Sequence, residues 1–148
     1  MHHSDEKIIA KAMKILARNL RQPGHTLSSP DTVKKYLTLS LAREEREIFG
    51  VLWLDVKNRV IKIEHLFFGS IASASVYPRE VIKSALKHNA SAALCFHCHP
   101  SGNPDPSDAD KIITIHLKKA LDNVEVRLFD HIIIGGMESY SFAENGLI

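Results

Sequence analysis

A mixed β-sheet flanked by helices, an α/β or α+β domain with N-terminal helices, is the fold class this sequence predicts. Three observations carry it. Hydrophobic spacing is helical as far as Leu41 and then changes to strand-like runs. Two of those runs, Ile48 to Asp55 and Arg59 to Phe68, are joined by the short turn Val56-Lys57-Asn58, which is a hairpin signal. Farther on, a helix opening at Pro78, a short apolar run and a second helix opening near Ser107 alternate as the layers of one packed domain would.

The elements follow in order. Asp5 to Arg21 carries Ile8, Ile9, Ala12, Met13, Leu16 and Leu20 at helical spacing and meets a stop at Pro23-Gly24, so residues 1–28 read as a helical extension of a main domain, residues 29–148. A second helix starts at Ser29-Pro30, with Ser29 as cap and proline at the first position, and runs towards Leu41. After the hairpin, Ile71 to Tyr77 alternates apolar and small residues. Pro78-Arg79-Glu80 opens a helix with Val81, Ile82, Ala85 and Leu86 on one face. Ser91 to His97 is short and apolar, as expected of a buried central strand. Pro100 to Pro106 is too rich in proline and glycine for a helix and reads as a turn-rich loop. Ile112, Ile113, Leu117, Ala120 and Leu121 then form a core-facing helical stripe, and Val124 to Phe129, His131 to Gly135 and Tyr140 to Phe142 supply late strands.

Composition narrows the class. A chain of 148 residues that is 45% hydrophobic can bury a core of its own. The net charge of +2 is small, and Lys34-Lys35 and Lys118-Lys119 are isolated pairs, so charge does not indicate DNA binding. No apolar run approaches a membrane span and the first residues are polar, which makes the cytoplasm the expected location. The amphipathic first helix is expected to dock on its own domain or, in a homo-oligomer, on a second copy.

The chemistry concentrates between His97 and Asp110. On an extended segment side chains alternate, so His97 and His99 point one way and Cys98 the other. The loop that follows is able to return Asp110 to the two imidazoles. Two histidines and a carboxylate leave a tetrahedral zinc with one corner for water, as in hydrolytic sites and unlike closed structural ones. Read alone, Ser107-x-x-Asp110 is a helix-capping pattern; the strand, His-x-His, loop and helix together supply the context a metal motif requires.

His97-x-His99-x7-Ser107-x2-Asp110 resembles, residue for residue, the motif of the JAMM (MPN/JAB) metalloprotease superfamily. Tyr77-Pro78-Arg79-Glu80-Val81, His97-Cys98-His99-Pro100-Ser101-Gly102, Pro106-Ser107, Asp130-His131-Ile132-Ile133-Ile134-Gly135 and Ser141-Phe142-Ala143-Glu144-Asn145-Gly146-Leu147 look like its RadC-like branch, over Ser29 to Ile148. The chain departs from that branch at Cys98, where asparagine is usual, and at Tyr77, where histidine is frequent. The resemblance implies a cytidine-deaminase-like α-β-α sandwich, with zinc on His97, His99 and Asp110. It also implies an upstream glutamate in a Glu-apolar-x-Gly context, which Glu47-Ile48-Phe49-Gly50 provides; the bland reading is one acid of the charged run Arg43 to Glu47.

By that resemblance, zinc would lower the pKa of its water to about 7, Glu47 would act as general base, and Ser107 would hydrogen-bond the oxyanion during hydrolysis of a peptide or isopeptide bond in a peptide or protein substrate. A different class of function stays open: a non-catalytic metal- and partner-binding module associated with DNA repair. A nuclease is a weaker third reading. Full-length RadC proteins carry an N-terminal helix-hairpin-helix region, and with two helices before Glu47 that region is expected to be missing here.

Other candidates carry less. Cys95-x-x-Cys98 has redox spacing but does not open a helix, and no second ligand pair completes a zinc ribbon. Cys95 is expected to pack in the core and Cys98 to be exposed and oxidisable. His25, His65, His88 and His116 stand singly, with surface or packing roles. Asp130-His131, placed between two strands, suits a structural pair or one that orients a group beside the site; the structural role is favoured.

Overall fold

The computed structural model describes residues 2–21, 30–69 and 76–148. The expected stop at Pro23-Gly24, the Ser29 cap, the domain boundary at residues 28 and 29, and most of the run from Ile71 to Tyr77 lie outside the described residues. Four helices, α1 (His3–Arg21), α2 (Pro30–Leu41), α3 (Pro78–Lys87) and α4 (Asp108–Asp122), flank five strands, β1 (Ile48–Leu54), β2 (Val60–Phe68), β3 (Ala92–Cys98), β4 (Arg127–Gly135) and β5 (Glu138–Ser141). The mixed sheet expected from the sequence has the order β2-β1-β3-β4-β5. β3 and β4 are parallel, joined across α4, and the other neighbours are antiparallel.

Strand parity divides the core into two layers. Ile48, Leu52, Leu54, Leu94, Phe96 and Ile132 meet Leu20 of α1 and Val33, Leu37 and Leu41 of α2 on one face. Phe49, Val51, Trp53, Ala93, Cys95 and Leu128 meet Val81 and Ala85 of α3 and Leu117 and Leu121 of α4 on the other. Covered on both faces, β1 and β3 are buried along their whole length, which is why they read as continuous apolar runs. Gly50 permits the middle of this packing: a Cβ there would collide with the Phe96 ring and the Glu64 carbonyl.

Two expectations are corrected. The separate strands Val124 to Phe129 and His131 to Gly135 are one strand, β4. Residues 124–126 instead close α4, with Val124 and Val126 N–H donating to the Leu121 carbonyl. The discontinuity is a register shift against β3, where Ala93 faces Leu128 but Leu94 faces Asp130, and the extra residue reverses the parity of everything after Phe129. Asp130 is tolerated mid-strand because its carboxylate accepts from Ser141 Oγ (2.7 Å) and from the N–H groups of His131 and Ala143. The second correction concerns Cys98, which is 2% exposed. It does point away from the histidines, but that face is covered by α2, and its Sγ contacts the Arg46 carbonyl at 3.4 Å. Burial raises its thiol pKa, and that of Cys95 more strongly, so both stay protonated and inert.

Candidate metal centre

Three elements converge at the carboxyl end of β3. His97, fully buried, leaves β3 on the face covered by α3 and α4, two residues beyond Cys95 of that layer. His99 follows the strand, its N–H donating to the Ile134 carbonyl at 2.8 Å and so extending the β3–β4 pairing. The loop turns back through the Gly102 N–H to His99 carbonyl bond (3.0 Å) and packs on the end of β4. Gly135 admits that contact, since a Cβ there would lie 2.5 Å from Pro104 N and 2.7 Å from Asn103 C. The loop then delivers α4, whose first turn holds Asp110.

The Ser107-Asp110 pair is a complete capping box. Ser107 Oγ accepts from Asp110 N–H at 3.1 Å, and Asp110 Oδ2 accepts from Ser107 N–H at 2.8 Å. The cap and the site coincide: Oδ2 also lies 3.0 Å from His99 Nε2, and Oδ1 lies 3.2 Å from His97 Nε2. The two Nε2 atoms are 3.0 Å apart. Glu47 is placed by register. Phe49 faces His97 across β1 and β3, and Glu47 lies two residues before Phe49, next to the start of β1. Its carboxylate is near enough for its charge to favour the protonated form of both imidazoles.

Donor counting fits this cluster to a cation. His99 Nδ1 lies 2.8 Å from the Asn103 carbonyl, which only accepts, so a neutral His99 carries its proton on Nδ1 and presents a lone pair on Nε2. A neutral His97 with its proton on Nδ1 likewise presents a lone pair on Nε2. Two lone pairs and a carboxylate then face one another with no proton between them, and ligand atoms of all three residues lie within 4.8 Å of one another. Either an added proton or a metal ion resolves that repulsion, and two histidines with one aspartate are a donor set suited to zinc with an open position. Hydrogen bonding to Asp110 raises the His99 pKa against the opposing effect of burial. Burial lowers that of His97, Asp110 opposing it. For Asp110, burial opposes ionisation, but the two imidazoles, when protonated, outweigh it and hold the carboxyl well below the usual carboxylate range.

The match to known proteins extends over this framework. The model of the RadC-like JAB domain matches residues 27–147. The chain belongs to the RadC-like JAB domain family. Its relatives include the UPF0758 proteins YkfG and YeeS of Escherichia coli strain K12, each 45% identical over 148 residues and matched over 94% and 100% of their own lengths. A UPF0758 protein of Pseudoalteromonas translucida is 55% identical over 121 residues, 82% of this chain and 54% of that protein. The chain thus spans about half the length of that relative, and of a Janthinobacterium relative of which it covers 56%.

Sequence reading favoured a structural role for Asp130-His131 over one that orients a group beside the site, and did not single out Thr114 behind the JAB-type cluster. Thr114, one turn after Asp110, and His131 on β4 are both buried behind His97, with His97 Nδ1 2.8 Å from His131 Nε2 and His131 Nδ1 2.6 Å from Thr114 Oγ1. A polar Thr114 within the apolar stripe of α4 was the available signal. For His131 the sequence carried only its proximity to Asp130, and the two do not pair through side chains: they lie on opposite faces of β4. Its ring packs between Phe142 (4.6 Å, stacked) and Phe49 (5.6 Å, edge-on), and burial holds its pKa well below the ordinary value.

Proposed function

We propose that this chain is a metal-dependent hydrolase of amide bonds, peptide or isopeptide, with zinc held by His97, His99 and Asp110. The observation that carries the reading is the convergence of His97 Nε2, His99 Nε2 and the Asp110 carboxylate at 3.0 to 3.2 Å from one another. Zinc in that position supplies a Lewis acid that makes water nucleophilic at neutral pH. Glu47, whose charge reaches both imidazoles, takes the proton of the attacking water and returns it to the leaving amine. The Ser107 oxygen is occupied as a cap acceptor, which leaves its hydroxyl hydrogen to donate to the oxyanion. His97, buried and backed by His131, keeps its orientation while this charge develops.

Elemental analysis of the purified protein is expected to find close to one zinc per chain, lost on replacing His97 and His99 by alanine. With peptide and isopeptide substrates, Glu47→Gln is expected to retain the metal and lose turnover by roughly 10²- to 10⁴-fold, the usual contribution of a general base. Absence of zinc after metal addition would remove the hydrolase reading. A Glu47→Gln protein as active as the unaltered one would remove Glu47 from the mechanism.

A further inference from the structure

We propose that His131 and Thr114 are positioning residues: they fix His97 as the tautomer protonated on Nδ1, aim its Nε2 lone pair at the metal position, and tie that orientation to the backbone of Asp110. The inference deepens the metal-centre reading above and rests on it. The direction of every proton follows from one atom that has none to give. The Asp110 main-chain carbonyl lies 2.6 Å from Thr114 Oγ1, so the single hydroxyl proton of Thr114 points at that carbonyl. Thr114 Oγ1 is also 2.6 Å from His131 Nδ1 and, its proton spent, can only accept there. His131 therefore carries its proton on Nδ1 and offers Nε2 as an acceptor. His97 Nδ1, 2.8 Å from that Nε2, must be the donor. The His97 proton is thereby placed on the side away from Asp110 and His99.

The chain starts and ends beside one residue. It leaves Asp110 through its carbonyl and passes Thr114 and His131 to His97, whose Nε2 lone pair lies 3.2 Å from the Asp110 carboxylate. Each link is held rigidly. Thr114 sits on the same face of α4 as Asp110, four residues on. His131 sits opposite Cys95 in the parallel β3–β4 register, with its side chain on the His97 face. All four residues are at most 2% exposed, so water does not compete for the bonds. His99 has a separate device for the same end, its Nδ1–H on the Asn103 carbonyl. Ligating histidines usually donate their second N–H to a carbonyl or carboxylate; here a neutral imidazole takes that place for His97, and a threonine hydroxyl sets which nitrogen of that imidazole is free.

The test has two arms. Long-range proton–nitrogen correlation spectra of metal-free protein labelled with nitrogen-15 in its histidines read the tautomers directly. His97 and His131 are both expected to be protonated on Nδ1. Zinc affinity, measured by competition with a chelator, is then compared among the unaltered protein, Thr114→Val, Thr114→Ser and His131→Phe. Thr114→Val and His131→Phe are expected to weaken binding by roughly 10- to 100-fold, with Thr114→Ser, which restores the hydroxyl, close to the unaltered protein. In Thr114→Val the His131 ring is expected to lose its fixed tautomer. A neutral His97 protonated on Nε2 instead of Nδ1 in the unaltered protein overturns the proposal, and this holds even where a variant fails to fold. So does a folded Thr114→Val protein that binds zinc as tightly as the unaltered one. Absence of zinc uptake by the unaltered protein overturns the metal-centre reading and with it the role of the relay, whereas the wrong tautomer overturns the relay alone.

Discussion

Asp110 shows how much one residue can carry. Its carboxylate caps α4, faces two imidazoles, and its carbonyl anchors Thr114, so the capping pattern and the metal motif are one arrangement rather than alternatives. Glu64 does comparable structural work away from the site. Its Oε1 accepts from Trp53 Nε1 (3.0 Å) and Ser84 Oγ (2.7 Å) and lies 2.5 Å from His88 Nε2, joining β1, β2 and the end of α3. Burial opposes its ionisation, but Ser84, the His88 charge and Trp53 outweigh that and leave its pKa below the ordinary 4.5. A carboxylate with a lowered folded pKa contributes stability that is present above the unfolded value and lost as pH falls through the folded one. Glu64→Gln is therefore expected to cost about 1 kcal/mol at pH 7 in denaturant titrations, the difference closing as pH falls below 4.5. A difference that is the same at acid and neutral pH would show the charge to be irrelevant.

At the scale of elements, the site depends on how β3, the loop and α4 meet β4. Gly135 is the tightest point, since the atoms a side chain would strike there are backbone: Pro104 N at 2.5 Å, Asn103 C at 2.7 Å and Gly102 O at 2.9 Å. Gly135→Ala must push the loop outward, which moves the Asn103 carbonyl from His99 Nδ1. Overpacking of this kind costs roughly 1–3 kcal/mol. Both the unfolding midpoint and zinc affinity are expected to fall, and a Gly135→Ala protein unchanged in both would mean that the loop relaxes without disturbing His99. The register shift in β4 matters equally. By inserting one residue before Asp130 it turns His131 towards His97 and leaves Asp130 to hold the segment after β5 on the other face.

For the whole molecule, a metal ion at the His97, His99 and Asp110 cluster would be coupled to the fold, because the three residues come from β3, the loop after it and α4. An ion that binds only the folded chain stabilises it by about 2.7 kcal/mol at a hundredfold excess over Kd. For a chain of this size that is roughly 5 to 10 °C in Tm, and chelation is expected to reverse it. An unfolding midpoint indifferent to zinc and chelator would argue against a cation at the His97, His99 and Asp110 cluster. α1 packs against α2 and reaches β2, so the amphipathic N-terminal helix docks on its own domain. No helix among the described residues is long and apolar enough to cross a membrane.

The sequence by itself determined most of the elements and the candidate cluster. Period switches located the helices and strands, and His97-x-His99 with Ser107-x-x-Asp110 named the cluster, because side-chain alternation and helix capping are local rules that act over a few residues. Only the tertiary structure decided that β4 is one strand with a register shift, that Cys98 is buried, and that Thr114 and His131 stand behind His97. Those outcomes depend on which strand lies beside β3, in what register, and on what covers each face. Such contacts join residues as far apart as His97 and His131, and no periodicity in the chain encodes them.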